Sequence, residues 1–587
     1  MIDSLVQRAR EWVEEDPDPI TQAAGHALLR AGDAQALRAH FGQRLRFGTA
    51  GMRGAIGPGP NRMNRALVRR VTAGLGRYVL DTVPDAKRRG AVIGFDGRHG
   101  SRDFAADAAA VLGGLGLPVY LFDVLVPTPS LAHALVHLNG AVGIMVTASH
   151  NPPQDNGYKV YWGNGAQIIP PHDKGISDAI DAIGALSEVS LPAAETRRAA
   201  GLLREVPPSV ERAYLEAVAR LRVYDGPTEG LKIVYTAMHG VGRRMVERVF
   251  AHLGYDPLFV VPAQGDPDPD FPTVSYPNPE EAGAMDLALD LAREVSAHLV
   301  IANDPDADRL AVAIPSPHGY RQLTGNEVGA LLADELLRYG PQEAGRLVVN
   351  TIVSSGILEV IAATHGVDFE QTLTGFKWIA NLALVRDRAG GRFVMGFEEA
   401  LGYTVGDVVR DKDGVSAALL FCDLVARCLQ GGRTVLDRLE ELAREYGVFV
   451  SCLHSVKLPG SSGADQIAAM MARLRSSPPR SIDGATVRRI RDYQHQVARD
   501  LGTGVETALA LPVSNVLAFD LDGARVLARP SGTEPKLKFY FEVQGAVARD
   551  EPLAVAEARA KMRLAALRDR FISEYGNAPD RGPRVEL

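Results

Sequence analysis

The chain has 587 residues, of which 46% are hydrophobic and 23% are charged, as is ordinary for a soluble protein of several domains. Its formal net charge of -7, from 64 basic and 71 acidic residues, excludes the basic excess typical of nucleic-acid-binding proteins. Three cysteines are too few for a disulfide framework, and no apolar run is long enough to span a bilayer. We therefore expect a cytoplasmic protein without nucleic-acid or membrane partners.

The first two-thirds of the chain alternates predicted helices and strands. Residues 4–14 and 20–31 are predicted helices, and the glycine-rich stretch FGTAGMRGAIGPGPNRMN follows as a loop whose backbone can approach a ligand. From Ala91, the segments AVIGF, SRDFAADAAAVLGGLG and LPVYLF predict a βαβ unit and a parallel sheet. Similar strand–loop–helix units begin near Lys232 and Arg346. They predict three related α/β domains, although any two βα units look alike.

The pattern changes beyond about residue 446. Short strand-like segments follow one another: VKLPG, ATVRRIRDYQH, NVLAFDLDGARVLARPS and KLKFYFEV. Within NVLAFDLDGARVLARPS, two strand-like halves are joined by Asp-Gly, which is typical of an antiparallel turn. A helix is predicted around 553–574. The sequence therefore predicts a fourth, C-terminal α+β domain.

A serine follows the strand-like run GIMV at Gly143–Val146, in the segment TASHNPP. Ligands bind at the carboxyl ends of parallel strands, so Ser149 is a candidate nucleophile, and the prolines after it stiffen its loop. A serine hydroxyl needs a base, a charge cluster or prior modification to react. A polar turn is the alternative. A serine hydrolase is disfavoured because TASHN is not the G-x-S-x-G elbow.

A second loop, NDPDADR, follows the strand-like HLVIA and carries Asp304, Asp306 and Asp308. Alternating carboxylates can converge on one hard cation, and Mg²⁺ prefers such ligands. An EF-hand is excluded, because position six of the loop is Arg309 rather than glycine and position twelve is Pro315 rather than glutamate. A solvated acidic turn is the alternative.

Two further loops have the residue types of a sugar-phosphate site. GFEEALGY offers acidic side chains that can accept hydrogen bonds from sugar hydroxyls, although a charge pair at a helix start is an equal alternative. RPSGTEPK combines an arginine, two hydroxyls and a glycine, which suits a phosphate clamp. Together the four loops predict phosphoryl transfer to and from a sugar phosphate.

At these residues the chain resembles the α-D-phosphohexomutase superfamily of phosphoglucomutases, phosphomannomutases and their relatives. TASHNP and DPDADR carry the resemblance, while FGTAGMRG, GFEEALGY and RPSGTEPK look most like the longer phosphoglucomutase and phosphopentomutase-like branch. The resemblance implies four domains around a central active-site cleft. The expected domains are 1–205, bearing the phosphoserine; 206–322, binding the metal; 323–445, recognising the sugar; and 446–587, binding phosphate.

The resemblance also implies the site residues. Ser149 is expected to be phosphorylated and to hold Mg²⁺ with Asp304, Asp306 and Asp308. The other residues carried over by the resemblance are His150, Arg53, Lys159 and Lys412 for catalysis, and Arg309, Lys377, Glu398, Arg529, Ser531, Gly532 and Thr533 for substrate binding. Lys412 matches a proposed general acid or base, and burial among cations is expected to lower its pKa. Many relatives have serine where this chain has Ala400, which leaves the sugar open.

The expected activity is a reversible phosphomutase, an intramolecular phosphotransferase that interconverts glucose 1-phosphate and glucose 6-phosphate. A sugar 1,6-bisphosphate would serve as intermediate and activator. Phosphomannomutase and phosphopentomutase activities are the near alternatives. Glucose 1,6-bisphosphate synthesis is a more distant one, and so is a non-catalytic sugar-phosphate sensor, which would be expected to lack the serine or an aspartate of the metal loop.

Overall fold

The computed structural model describes residues 2–48, 51–458, 463–531 and 536–576. They form two compact units, Met1–Leu347 with Gly375–Arg433, and Val348–Thr374 with Thr434–Leu587. Helices and strands alternate through three regions, and the last region is rich in antiparallel strands. The predicted fold class, α/β regions followed by a C-terminal α+β region, is confirmed.

Three helices precede the first sheet: α1 (Ile2–Glu15), α2 (Pro19–Ala31) and α3 (Ala34–Phe41). The sequence predicted α1 and α2 but not α3, which is only eight residues long. The side chain of Asp33 caps α3 by accepting the amide hydrogens of Gln35 and Ala36. Leu37 and Phe41 of α3 pack in a small core with α1.

The first sheet belongs to the first unit and has the strand order β1-β5-β4-β2-β3-β6. Its region contains β1 (Met52–Ala55), α4 (Arg65–Thr82), α5 (Ala86–Arg89), β2 (Ala91–Phe95), α6 (Ser101–Gly114), β3 (Val119–Leu121), α7 (Thr128–His137), β4 (Val142–Val146), β5 (Asp155–Trp162), α8 (His172–Asp181), a 3₁₀ turn (Leu186–Glu188), α9 (Ala194–Ala199) and β6 (Leu203–Glu205). The strands β4, β2, β3 and β6 are parallel, β5 is antiparallel to β4, and β1 is antiparallel to β5. Both β2 and β4 are fully buried apolar runs, as central parallel strands require. Their carboxyl ends therefore lie side by side.

The second sheet also belongs to the first unit, with the order β11-β10-β9-β7-β8. Its region contains α10 (Pro208–Ala219), β7 (Ile233–Thr236), α11 (Arg243–His252), β8 (Leu258–Val260), a 3₁₀ turn (Pro262–Gln264), α12 (Asp286–Val295), β9 (Leu299–Ala302), β10 (Ala311–Ser316) and β11 (Gly319–Gln322). Strands β9, β7 and β8 are parallel, and β10 turns back antiparallel to β9. The segment 303–310 that joins β9 to β10 is the aspartate loop.

The third region contains α13 (Gly325–Tyr339), β12 (Arg346–Thr351), α14 (Ile357–His365), β13 (Asp368–Thr372), α15 (Phe376–Arg388), β14 (Arg392–Glu398), β15 (Gly402–Val405), α16 (Gly414–Gln430) and α17 (Val435–Tyr446). The strands β14 and β15 form an antiparallel hairpin in which Glu398 pairs with Gly402. Glu398 is therefore the last residue of a strand. The alternative interpretation of GFEEALGY as a charge pair at a helix start is wrong, because a tight turn follows, with Leu401 at φ 62°.

The fourth region lies in the second unit and contains β16 (Val448–Lys457), α18 (Gly463–Ser476), β17 (Ser481–Ile482), β18 (Ala485–Asp492), β19 (Val497–Asp500), β20 (Glu506–Ala508), β21 (Leu517–Leu521), β22 (Ala524–Pro530), β23 (Lys536–Gly545) and α19 (Leu553–Tyr575). The main sheet has the order β16-β23-β22-β21-β18-β19-β20 and is antiparallel. Asp522 and Gly523 form the turn between β21 and β22, as predicted. Apolar residues of α18 and α19, including Met470 and Phe571, share one core with the strands.

In the described part of the chain, no single helix has both the length and the apolar composition needed to cross a membrane. Two consecutive helices, Gly414–Gln430 and Val435–Tyr446, reach that length and composition only when they are taken together.

Candidate active site

Ser149 is held in a strained, buried position three residues beyond the end of β4. Its φ of 55° lies in the left-handed region, which costs a non-glycine residue energy and is common at functional sites. The hydroxyl Oγ donates to Oδ2 of Asp304 at 2.7 Å and lies 3.1 Å from Nδ1 of His150. The serine is only 2% exposed. The loop thus points a single hydroxyl at the aspartate loop.

Arg98, which the sequence analysis did not identify, holds the backbone of the serine loop. Its buried guanidinium donates to the carbonyl oxygens of Ser149 at 2.7 Å and Pro152 at 2.8 Å, and also to those of Asn151 and Asp155. Its Nε lies 3.6 Å from Oδ2 of Asp96. One side chain from the end of β2 therefore fixes four carbonyls after β4, because the two strands are neighbours. An arginine three residues past a buried strand was the available sequence signal.

The Arg98→Ala variant is expected to loosen the serine loop. Removing one member of a buried ion pair costs about 3–5 kcal/mol, and four carbonyls would lose their donors here. Amide hydrogen exchange across residues 147–155 should be faster by a factor that matches this cost. The exposed Arg102 is the control, since alanine at position 102 should leave exchange in the loop unchanged. Equal protection in the wild type and Arg98→Ala would contradict this role.

The backbone of the aspartate loop is fixed by three parts of the first unit. The amide of Thr128, the first residue of α7, donates to the carbonyl of Asp306 at 2.9 Å. The amide of Val241 donates to Pro305, and the amide of Gly414 donates to Ala307. A Cβ on Gly240 would lie 2.3 Å from the Cα of Pro305, so a glycine is required beside this loop. The loop is thus placed by contacts from three regions rather than by its own sequence.

The three aspartates are buried beside two lysines. Lys159 Nζ lies 2.6 Å from Oδ2 of Asp306 and 2.9 Å from Oδ2 of Asp308. Lys412 Nζ lies 3.1 Å from Oδ2 of Asp308. The hydroxyl of Thr128 also donates to Oδ2 of Asp306 at 2.6 Å, a contact that the sequence analysis missed. The cluster therefore balances its negative charges with fixed cations and a hydroxyl.

The aspartate cluster fits a divalent cation. One oxygen from each of Asp304, Asp306 and Asp308 lies within 4.8 Å of the others. Oδ1 of Asp306 and Oδ1 of Asp308 are buried without a hydrogen-bond partner among the described residues. Buried carboxylate oxygens without a partner are costly, and a hard cation that prefers oxygen ligands would satisfy them. Mg²⁺ is the cation that the sequence predicted here.

The pKa values of the aspartates diverge with their surroundings. Burial, together with Asp308 and Asp306, raises the pKa of Asp304 to about 8. Burial also acts to raise the pKa of Asp306, but Lys159 outweighs it, and the pKa of Asp306 lies well below its usual value. A crowded carboxylate such as Asp304 is the group that gains most from a neighbouring cation. The raised pKa of Asp304 and the unpartnered oxygens of Asp306 and Asp308 both indicate a site that a bound cation would stabilise.

The expectation that cations lower the pKa of Lys412 is wrong. Burial acts in that direction, but Asp308, Asp411 and Glu398 outweigh it and raise the pKa of Lys412 above that of a free lysine. The physical reason is that Lys412 faces carboxylates: Oδ1 of Asp411 lies 3.4 Å from its Nζ. Lys412 is therefore a protonated, positively charged side chain beside the aspartates.

His150, Arg53 and Lys159, proposed for catalysis, and Arg309, proposed for substrate binding, belong to the first unit. Burial, followed by Arg309 and Arg53, lowers the pKa of His150 well below its usual value, so its ring is neutral near pH 7. Arg53 is an exposed residue of β1, which pairs with β5. Lys159 lies on β5 itself. Arg309 lies 3.4 Å from Glu280.

The hairpin that bears Glu398 is fastened to the aspartate loop. Arg309 forms an isolated antiparallel bridge with Gly402, and the amide of Leu310 donates to the carbonyl of Leu401 at 3.0 Å. Oε1 of Glu398 accepts the amide hydrogen of Gly375 at 2.7 Å, and burial raises the pKa of Glu398. Glu398, the acidic side chain proposed to bind sugar hydroxyls, is therefore held close to the aspartate loop.

Lys377 lies in the first turn of α15. It is 8% exposed, and burial lowers its pKa to about 8, against the opposing effect of Asp173. Its Nζ lies 5.2 Å from the ring of Trp378. Burial therefore makes Lys377 easier to deprotonate than an exposed lysine.

The remaining predicted residues belong to the last loop. Arg529 lies on β22, paired with Lys538 of β23, and Ser531 follows that strand in the second unit. Gly532 and Thr533 lie outside the described residues. The phosphate-binding role of this loop stays a prediction.

Four family models match the chain in order. They are the phosphoglucomutase/phosphomannomutase alpha/beta/alpha domain I at residues 44–186, domain II at 212–317, domain III at 324–446 and the C-terminal domain at 480–560.

Curated relatives match most of the chain. A Haemophilus influenzae protein named "Probable phosphomannomutase" is 41% identical over 84% of this chain and 96% of its own. The human phosphopentomutase is 38% identical over 93% of each chain. A Staphylococcus aureus phosphoglucomutase is 34% identical over 91% of this chain and 95% of its own.

Solved structures have the same fold. A phosphoglucomutase from Paramecium matches with a TM-score of 0.66 at 18% identity, covering 91% of this chain and 96% of that one. A phosphoglucomutase/phosphomannomutase family protein from Burkholderia thailandensis matches with a TM-score of 0.66 at 20% identity, covering 91% and 99%. At these identities the likeness is one of fold.

Proposed function

Because the chain belongs to the phosphoglucomutase/phosphomannomutase family and is an intramolecular phosphotransferase, we propose that it interconverts glucose 1-phosphate and glucose 6-phosphate. A phosphoserine at position 149 and a glucose 1,6-bisphosphate intermediate would carry the reaction. The observation that supports this most is the contact of 2.7 Å between the Ser149 hydroxyl and Asp304, within a buried aspartate cluster that has two unpaired oxygens.

The reaction has two balanced transfers. In the first, the bond between phosphorus and Ser149 Oγ breaks while a bond forms between phosphorus and the free hydroxyl oxygen of the sugar monophosphate. The hydroxyl loses its proton and the serine oxygen regains one, which leaves a neutral serine and a bisphosphate. The bisphosphate then turns in the site. In the second transfer the bond between the other phosphorus and its sugar oxygen breaks while a bond to Ser149 Oγ forms. The serine loses its proton, the sugar oxygen gains one, and the isomeric monophosphate leaves.

The residues around Ser149 position it and balance charge. Asp304 would hold the cation together with Asp306, Asp308 and the phosphate on Ser149, and when bound the cation supplies neutralising charge at the phosphoryl group. Lys159 and Lys412, both protonated, add fixed positive charge beside it. His150 lies within hydrogen-bonding distance of the serine oxygen and would orient it. Most of the catalysis in such transfers comes from positioning and charge neutralisation.

Glu398 is the proposed sugar contact. An ionised carboxylate accepts hydrogen bonds only, which suits sugar hydroxyls, and Gly375 already holds one of its oxygens in place. Arg309 and the buried Lys377 would bind the phosphate that is not being transferred. Arg529, Ser531, Gly532 and Thr533 are proposed as a phosphate-binding loop of the second unit.

Pentose phosphates are the second candidate substrate. Ala400 removes a hydroxyl that many relatives place near the sugar, and such a contact is worth about 0.5–1.5 kcal/mol. The human relative that is 38% identical over 93% of the chain is a phosphopentomutase. A site with fewer hydrogen bonds to the sugar would bind a smaller sugar with a smaller loss of binding free energy.

A substrate panel tests the proposal. Purified protein with Mg²⁺ is assayed on glucose, mannose, ribose and deoxyribose 1-phosphates, each with a catalytic amount of its bisphosphate. We expect the highest kcat/KM with glucose 1-phosphate. A higher value with ribose 1-phosphate would replace glucose by the second candidate. The absence of turnover with all four sugar 1-phosphates would contradict the assignment as a phosphomutase.

A pH profile tests Lys377. Because burial lowers its pKa to about 8, the side chain is cationic below pH 8 and loses its charge above it. We therefore expect kcat/KM, which reports on the free enzyme, to fall as the pH rises through about 8. The Lys377→Arg variant keeps its charge, so its profile should be flat there. A wild-type profile that is also flat around pH 8 would exclude a cationic role for Lys377.

A further inference from the structure

The first unit contains a cavity whose lining includes none of the aspartates of the cluster. It has a volume of about 220 Å³ and is lined by residues of α7, α10 and α11 and by the segment before α7. Its apolar and aromatic walls include Phe122, Val126, Val210, Tyr214 and Met245. A cavity of this size with apolar walls is large enough to hold a small organic molecule.

Two buried polar atoms in the lining have neither a hydrogen bond nor an ion pair among the described residues. They are Oγ of Ser130 and Nε2 of His133, which lie three residues apart on α7 and so share one face of the helix. Ser130 is only 6% exposed. A buried polar atom without a hydrogen bond is costly, so both atoms indicate a ligand that forms the missing hydrogen bonds.

The hydrogen bonding of His133 shows which kind of group the ligand must present. Nδ1 of His133 lies 3.2 Å from the carbonyl oxygen of Val408, and because a carbonyl only accepts, Nδ1 carries the hydrogen. Burial lowers the pKa of His133, which keeps the ring neutral. Nε2 is then an acceptor, and a matching ligand donates an N–H or O–H to it.

The charges in the lining favour a neutral ligand. Glu211 and Arg244 both line the cavity, and they pair with each other at 2.6 Å. Glu211 also lies 2.7 Å from Arg248. Asp123, the other charged residue of the lining, is exposed to water. The buried part of the cavity thus offers hydrogen-bonding groups and aromatic rings without a free charge.

We propose that this cavity binds a small neutral aromatic molecule that carries one N–H or O–H donor. A cavity of about 150 Å³ holds benzene with its six ring atoms, so the same proportion gives about nine non-hydrogen atoms for this one. The donor bonds to Nε2 of His133 and the ring packs against Tyr214 and Phe122. Binding here is separate from the sugar-phosphate chemistry, so its test can fail while mutase activity is present.

Calorimetric titration of the full chain with two ring systems of equal size tests the proposal. Indole has nine non-hydrogen atoms and one N–H donor, while benzofuran has the same shape and no donor. We expect indole to bind with a Kd of about 1 mM or tighter. Benzofuran is expected to bind about three- to tenfold more weakly, as the loss of one hydrogen bond implies.

Variants place the binding in this cavity. His133→Phe keeps a ring but removes the acceptor, so it should abolish the difference between indole and benzofuran. His252→Phe, at the exposed end of α11 and outside the lining, is the matched control and should preserve that difference. Val210→Phe fills the cavity and should abolish binding of both molecules. Circular dichroism checks that each variant is folded.

Three results would overturn the proposal. The first is no measurable heat with indole, which would mean that water alone fills the cavity. The second is equal affinity for indole and benzofuran. The third is indole binding that survives in folded Val210→Phe.

Discussion

The Ser149→Ala variant is expected to lose mutase turnover, with kcat lower by at least about 10⁴-fold, as when a nucleophile that acts in a concerted set is removed. The reason is geometric. The Ser149 hydroxyl donates to Oδ2 of Asp304, and Arg98 fixes the carbonyl of Ser149. Alanine offers no oxygen to carry a phosphoryl group. Activity is measured with the best sugar 1-phosphate of the panel and its bisphosphate.

Two comparisons make that result specific. Ser187→Ala, at an exposed position of the same region, should keep wild-type kcat. Ser149→Ala should still bind the sugar bisphosphate, because the other residues proposed for substrate binding are intact. Turnover by Ser149→Ala within tenfold of the wild type would place the phosphoryl carrier elsewhere.

The second large effect is expected at Asp306. Alanine there removes one of the two unpaired buried oxygens, the nearest partner of Lys159 and the acceptor of the Thr128 hydroxyl. We expect the Mg²⁺ concentration for half-maximal activity to rise at least about tenfold and kcat to fall about 10²-fold, since groups that hold a metal affect both affinity and rate. Initial rates over a Mg²⁺ titration measure the two quantities together.

The control for Asp306→Ala is Asp290→Ala, an exposed aspartate of α12 that pairs with Arg293. It should leave the Mg²⁺ dependence unchanged. If Asp306→Ala lowered kcat but kept the wild-type Mg²⁺ dependence, Asp306 would act in positioning Lys159 and not in holding the cation.

Much of the architecture could be predicted because it depends on local patterns. Continuous apolar runs gave β2, β4 and β9, and Asp522-Gly523 gave the hairpin of the C-terminal region. The helices α3 and α18 were missed. The first is only eight residues long, and α18 begins next to a Gly- and Ser-rich segment, a composition typical of loops. Both are stabilised by packing rather than by a strong sequence signal.

The serine and the three aspartates could be identified from sequence because each directly follows a strand. The contacts that hold them could not. Thr128 reaches Asp306 across 178 positions of the chain, and no local pattern predicts such a contact. The pKa of Lys412 was predicted in the wrong direction because two of the carboxylates that raise it, Asp308 and Glu398, come close to Lys412 only in the folded chain.

The central claim is that Ser149 carries the phosphoryl group during turnover, and a label chase tests it most directly. The protein is loaded with ³²P from the labelled bisphosphate of its best substrate, then mixed with unlabelled sugar 1-phosphate and quenched over time. We expect the label on the peptide that contains Ser149 and its transfer to sugar at a rate no slower than kcat. Label on another peptide, or label that stays on the protein while turnover proceeds, would contradict the account.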